Sequence, residues 1–137
     1  MNFNKINYSK LNPKQKEIFN FQKIAGLLAD YGFNCIKLAD DWQGADFIAY
    51  HKDGNETLLV QLKARLTIEK KYMGKDLYIT FPIKNDKWCL ILHDELVKKI
   101  ETHSNWLNTS SWLDTGKYHS ANPNKNILES LTNHTIE

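Results

Sequence analysis

Residues 44–66 read GADFIAYHKDGNETLLVQLKARL, and the fold prediction starts from this segment. The segments Ala45–His51 and Thr57–Leu66 are rich in aliphatic, aromatic and β-branched side chains, which is typical of β-strands. Between them, Lys52-Asp53-Gly54-Asn55 carries an Asp-Gly pair that favours a tight turn. The sequence therefore predicts an antiparallel hairpin.

Side chains of the longer hairpin strand alternate between two faces. One face is an apolar stripe that we expect to enter the core: Leu58, Val60, Leu62, Ala64 and Leu66. The other face carries Leu59, Gln61, Lys63 and Arg65. Because the start of one antiparallel strand faces the end of the next, we expect Asp46 to lie near Lys63 and Arg65, with Gln61 about one pair away.

The flanking segments predict helices and further strands. Helical spacing of apolar residues, with Asn12 as N-cap and Pro13 after it, predicts a helix over 13–31. Residues 40–44 resemble a turn, and the last five residues are expected to be frayed. The other predicted elements are strands over Phe33–Ala39, Leu77–Phe81 and Trp88–Leu92, a helix from His93 to Glu101 with Asp94 as N-cap, and a short helix near Lys125–Thr132.

Length and composition set the broad class. The chain has 137 residues, 42% hydrophobic and 25% charged, with a net charge of +2, which predicts one folded domain and excludes low-complexity classes. The core of this domain is expected at about 12–101, and 102–137 form a polar, aromatic-containing extension. We expect neither a membrane span nor a secretory signal. Cys35 and Cys89 are far apart in apolar runs, so we expect buried, reduced thiols in a cytoplasmic protein.

The polar end of the hairpin has a chemical use. A carboxylate oxygen from Asp46 and a neutral oxygen from Gln61 are hard ligands of the kind that Mg²⁺ prefers. Lys63 beside them would orient or help to deprotonate a metal-bound water, and Mg²⁺ neutralises charge on a phosphate during displacement. These are the parts of a site that hydrolyses phosphodiesters.

These residues resemble the signature of the PD-(D/E)XK nuclease superfamily, an Asp at a strand start followed on the next strand by Glu or Gln, any residue, and Lys. The matching segments are Gly44-Ala45-Asp46-Phe47 and Gln61-Leu62-Lys63. The pattern DDWQGADF…VQLK looks more closely like a group of small uncharacterised bacterial proteins. The resemblance implies an α/β fold of the restriction-endonuclease-like type: a mixed β-sheet of four to five strands flanked by an N-terminal helix and C-terminal helices.

What the resemblance implies transfers residue by residue. Asp46 matches the metal-binding Asp, Gln61 the second acidic position, Leu62 would offer its backbone carbonyl to Mg²⁺ (or Mn²⁺), and Lys63 matches the catalytic Lys. Many members add a Glu from the first helix, where Glu17 stands. Gln61 removes one negative charge from the pattern, which weakens metal affinity.

The charge layout favours a polyanionic partner. Residues 63–75 hold five bases against one acid, Glu69, and residues 30–56 hold six acids against two bases. We therefore expect DNA, more than RNA, to be bound, with phosphate contacts from Arg65, Lys70, Lys71 and Lys75. A homodimer is also expected, because a chain of this size gains affinity by pairing.

Other interpretations stay open at this stage. Asp46 on its own fits a turn acid, Glu17 fits an acid favoured by the helix dipole, and Lys63 fits a solvated edge charge. The main alternative to an enzyme is a catalytically inactive nuclease-like module that binds nucleic acid or a protein partner. A small toxin or immunity-type protein is a third.

Overall fold

A six-stranded mixed β-sheet lies at the centre of the computed structural model, which describes residues 1–137. The elements in chain order are α1 (Pro13–Asp30), β1 (Phe33–Trp42), β2 (Ala45–His51), β3 (Thr57–Leu62), β4 (Leu66–Glu69), β5 (Leu77–Pro82), β6 (Trp88–Leu92), α2 (His93–His103), β7 (Lys117–Ser120), α3 (Lys125–Ser130) and β8 (Thr135–Ile136). The sheet order is β1-β2-β3-β5-β6-β8, and only β3 and β5 run parallel. The predicted fold class is confirmed as a mixed sheet flanked by helices, but the sheet has more strands than the predicted four to five.

Helix α1 forms as its sequence predicts. Asn12 and Gln15 make a reciprocal capping box that pairs both of their N–H groups, and Pro13 at the first position has no N–H that needs a partner. Its apolar face buries Ile24 and Leu28 against β2 and β3. No helix of the chain is long and apolar enough to cross a membrane.

The predicted hairpin is confirmed, with Phe47 opposite Val60 and Ile48 opposite Leu59. The turn predicted over 40–44 is wrong, because β1 continues to Trp42 and pairs there with Ala45. Gln43 and Gly44, at φ 54° and 87°, make a two-residue connection. Such a turn matches the strand twist, so the ladder extends close to it.

The predicted long strand over Thr57–Leu66 is wrong beyond Leu62. The Lys63 N–H still donates to the Thr80 carbonyl at 2.9 Å, and the chain then bends, which leaves Ala64 exposed. Residues 66–69 instead pair with β7 in a separate two-stranded sheet. That partner comes from the distant extension, so no local pattern indicates it.

The C-terminal extension packs into the protein. Trp106, Trp112, Ile127 and Leu131 are buried in one cluster with residues of β4, β5, β6 and α2. The prediction of a frayed end is wrong, because β8 pairs with β6. The predicted N-cap role of Asp94 is also wrong: its carboxylate accepts the Gly74 N–H at 3.0 Å, and α2 begins without a side-chain cap.

Truncating Ile127 tests the structural role of this extension. Ile127→Ala is expected to lower the free energy of unfolding by about 2–4 kcal/mol, because the side chain is fully buried and leaves a cavity. Urea unfolding measures the change. Leu113→Ala is the control, since Leu113 is 58% exposed and its loss should cost less than about 0.5 kcal/mol. Equal stability of both variants would contradict a core role for the extension.

Candidate active site

A cleft of about 440 Å³ lies between α1 and the ends of β2 and β3. Its walls include every residue predicted for catalysis or metal binding: Glu17, Asp46, Gln61, Leu62 and Lys63. The hairpin places the last four, because the β2–β3 register, continued by one pair beyond Phe47 and Val60, sets Asp46 opposite Gln61. Glu17 comes from the first turns of α1.

Asp46 is half-buried and firmly oriented. Its Oδ2 accepts the Leu62 N–H at 2.8 Å, which ties the carboxylate to the end of β3. Burial, together with the neighbouring Asp41 carboxyl, raises the pKa of Asp46 to about 6, although the Leu62 N–H and the charge of Lys63 act to lower it. The Asp46 carboxylate is therefore not fully compensated by positive charge, and a perturbed carboxyl group in a cleft is a candidate functional group.

Gln61 is only 7% exposed, and its amide is incompletely satisfied. Nε2 lies 3.5 Å from the Leu62 carbonyl, a long contact, and the buried Oε1 has no hydrogen-bond partner. Buried polar atoms are nearly always paired, so the unpaired Oε1 of a residue that lines the cleft is a candidate acceptor for a missing donor or cation.

Lys63 forms an ion pair at the edge of the cleft. Its Nζ lies 2.9 Å from Glu69 Oε2, and the two side chains are 20% and 9% exposed. The same ammonium lies 5.5 Å from the centre of the Tyr72 ring. These contacts fix a charged lysine beside Asp46 and Gln61.

Glu69 is held in turn by buried groups. Its N–H donates to His93 Nε2 at 3.1 Å. Burial alone would raise the pKa of Glu69, but the hydrogen bond and charge of Lys63, together with Lys71, outweigh it and lower the pKa. Burial lowers the pKa of the fully buried His93, which keeps the ring neutral and able to accept with Nε2. A neutral histidine therefore anchors the backbone of the residue that holds Lys63.

Asp41, Glu69 and His93 are site residues that sequence reasoning missed. The turn predicted over 40–44 includes Asp41 and therefore hides it, although the Gln43-Gly44 pair is a signal for a two-residue turn that would leave Asp41 on the strand. Glu69 carried one usable signal, since it is the only acid in a basic run. Nothing in the sequence indicated the contact between His93 and Glu69.

Glu17 lines the cleft but pairs with lysines. Its Oε1 lies 3.0 Å from Lys37 Nζ, and its Oε2 lies 3.7 Å from Lys14 Nζ. The hydrogen bond from Lys37 lowers the pKa of Glu17. The carboxylate is therefore ionised at neutral pH but already compensated, unlike that of Asp46.

The residues predicted to contact phosphates do not lie together in this cleft. Arg65 borders a neighbouring pocket beyond Ala64, and Lys70 extends over the Trp112 ring with Nζ 5.5 Å from its centre. The Nζ of Lys71 lies 3.6 Å from Glu69 Oε1. The side chain of Lys75, which follows Gly74 in the chain, is exposed.

The donor set suits Mg²⁺. The Asp46 carboxylate, Gln61 Oε1 and the Leu62 carbonyl are all oxygens, and Mg²⁺ binds few protein ligands while keeping several waters. No group of three or more His, Cys, Asp or Glu side chains is placed to hold a metal. A Mg²⁺ site in this cleft would therefore depend on the neutral oxygens of Gln61 and Leu62 as well as on the charge of Asp46.

The two thiols are not part of this chemistry. Cys89 is buried in β6, and Cys35 is half-buried in β1. Burial raises the pKa of Cys89 to about 12 and that of Cys35 to about 11. Both thiols stay protonated near neutral pH and offer no thiolate.

Comparison with known proteins gives similarity at the level of structure only. No family model and no curated protein matches the sequence. The fold is similar to that of Hjc, a Holliday junction resolvase from Archaeoglobus fulgidus, with 15% identity over 58% of this chain and 74% of that one and a TM-score of 0.45. It is also similar to a bacterial homing endonuclease, with 13% identity over 83% of this chain and 78% of that one and a TM-score of 0.48.

Proposed function

We propose that this protein is a Mg²⁺-dependent nuclease of the PD-(D/E)XK type that hydrolyses phosphodiester bonds, in DNA more than in RNA. The observation that supports the proposal most is the convergence of Asp46, Gln61 and Lys63 on one cleft. The residues that line it include a poorly compensated carboxylate, an amide whose oxygen has no hydrogen-bond partner, and a lysine held by an ion pair.

In this proposal each residue of the cleft has a distinct role. When bound, Mg²⁺ supplies Lewis-acid charge to the scissile phosphate. Asp46, Gln61 Oε1 and the Leu62 carbonyl would hold it, and the Leu62 N–H keeps the Asp46 carboxylate oriented. Lys63 brings positive charge to the phosphate and orients the attacking water, and Glu69 limits the positions that its ammonium can take.

Cleavage assays test this function directly. The protein is incubated with single- and double-stranded DNA and RNA, with Mg²⁺, with Mn²⁺ and with a chelator, beside a Lys63→Ala control. We expect cleavage of DNA that requires the metal and is lost in the control. A folded protein that cleaves none of the four substrates in either metal would overturn the proposal.

A non-catalytic nucleic-acid-binding module is the second candidate. Two observations favour it: Gln61 supplies no charge, and Lys63 already has a partner in Glu69 at 2.9 Å. Binding without cleavage in any metal would support this module. Gln61→Glu adds the missing charge, so in that case metal affinity measured by calorimetry should rise in the variant.

The proposal also includes a cytoplasmic homodimer. Pairing gives a chain of this size two contacts with one long polyanion, which raises the affinity for it. Sedimentation equilibrium, with and without a DNA ligand, measures the oligomeric state.

A further inference from the structure

Two further pockets extend the active-site cleft past Ala64. The first, of about 690 Å³, shares Tyr8, Asn20 and Ala64 with the cleft. The second, of about 150 Å³, shares Ala64, Pro82 and Ile83 with the first. Because each pocket shares lining residues with the next, the three adjoin one another, and together we call them the long groove.

Charge changes along the long groove. In the active-site cleft, Lys16 and Lys63 are balanced by Glu17 and Asp46. Beyond Ala64 the charged lining consists of Lys23, Arg65 and Lys84, with Asp86 as the only carboxylate. The distal part is therefore positive, which suits successive phosphates that lead away from a cation site.

One wall of the long groove is aromatic. The Tyr8 and Phe19 rings lie 5.2 Å apart, and Asn20 donates to the Tyr8 hydroxyl at 2.9 Å. Lys16 Nζ lies 5.3 Å from the centre of the Tyr8 ring, and Lys23 Nζ lies 5.3 Å from that of Phe19. Ammonium groups beside aromatic rings are the lining of channels that take single-stranded nucleic acid, because unpaired bases stack on the rings while phosphates meet the cations.

We infer that the long groove binds a single polynucleotide strand and leads it from the active-site cleft past Ala64 to Lys84. Lys23, Arg65 and Lys84 contact its phosphates, and Tyr8 and Phe19 contact its bases. The inference rests on the proposed function, since the strand ends at the same cleft. It names the substrate as single-stranded, or as a duplex with an unpaired strand, and it moves the binding path away from Lys70, Lys71 and Lys75.

Binding measurements with matched charge changes test the path. Fluorescence anisotropy of a labelled single-stranded oligonucleotide is followed in chelator, where no cleavage occurs, over a series of salt concentrations. Lys23→Gln/Lys84→Gln is compared with Lys70→Gln/Lys75→Gln, which removes the same charge outside the groove. We expect the groove variant to bind about tenfold more weakly, with a salt slope smaller by about 1.4, since each contact with a single strand contributes about 0.7. The control should keep the wild-type slope.

The strand class is tested with the same assay. A blunt duplex of the same sequence should bind at least about tenfold more weakly than the single strand, and Phe19→Leu should reduce that preference. Equal losses in the two lysine variants, or equal binding of duplex and single strand, would overturn the inference and leave the proposed nuclease intact. Failure of the wild-type protein to bind any nucleic acid would overturn both.

Discussion

Replacing Lys63 by Met is expected to lower the rate of metal-dependent cleavage by about 10²–10³-fold and to leave oligonucleotide affinity within a few-fold of wild type. Lys63 lines the same cleft as the carboxylate and amide that would hold the metal, so in the proposed function its charge would act on the phosphate as the bond breaks. Single-turnover kinetics measures the rate, and anisotropy in chelator measures the affinity.

The same substitution should also cost stability. It leaves Glu69, whose side chain is 9% exposed, without its nearest partner, and only Lys71 remains at 3.6 Å. We expect a loss of about 2 kcal/mol, less than for a fully buried pair because Lys63 is 20% exposed.

A double variant separates the two effects. Lys63→Met/Glu69→Gln removes the stranded charge and should recover most of the stability, while cleavage stays lost. Recovery of cleavage together with stability would show that Lys63 acts only through the fold, and would contradict a role at the phosphate.

Replacing Asp46 by Asn is expected to abolish metal-dependent cleavage, by about 10³-fold, and to stabilise the metal-free protein at alkaline pH. The pKa of Asp46 is raised from 3.8 to about 6, so folding favours its protonated form. The stability that this group contributes is fully present below about pH 4 and is lost as the pH rises through 6. At pH 8 the ionised side chain costs stability that an amide does not.

Thermal unfolding in chelator measures this second effect. Asn can still accept the Leu62 N–H, so the fold keeps its hydrogen bond. We expect Tm to rise by about 3–6 °C at pH 8 and to be nearly unchanged at pH 4.

Two controls accompany the Asp46 variant. Asp40→Asn, at an exposed neighbouring position, should leave Tm unchanged at both pH values. Added Mg²⁺ should raise the Tm of wild type but not that of Asp46→Asn, because a cation that binds the folded state stabilises it. If Asp46→Asn were less stable than wild type at pH 8, this would contradict the expectation that the ionised Asp46 carboxylate destabilises the folded protein.

The parts of the fold that the sequence predicts are those that depend on neighbours in the chain. The capping residues of α1 and the Asp-Gly turn of the β2–β3 hairpin act within a few positions of the chain, so the sequence alone predicts both elements. The predicted hairpin in turn places Asp46, Gln61 and Lys63 close together. The convergence required only strand alternation and hairpin register.

The parts of the fold and of the site that the sequence does not predict depend on contacts between segments that are far apart in the chain. The pairing of β4 with β7 redirects the chain after Lys63, and it is this redirection that brings Glu69 back to the lysine. His93 reaches Glu69 from the start of α2. Local periodicity carries no information on such long-range contacts. The prediction that Lys70, Lys71 and Lys75 contact phosphates is a different case, because it depends on charge counts alone and stays a prediction.

The pairing of β4 with β7 also has a consequence for biosynthesis. The ribosome delivers Asp46, Gln61 and Lys63 well before Lys117–Ser120, so β4, which carries Glu69, has no hydrogen-bonded partner strand until residues 117–120 have been made. In a nascent chain that has not yet reached β7, Glu69 is therefore less firmly placed, and its ion pair with Lys63 is expected to form fully only after residues 117–120 have been synthesised.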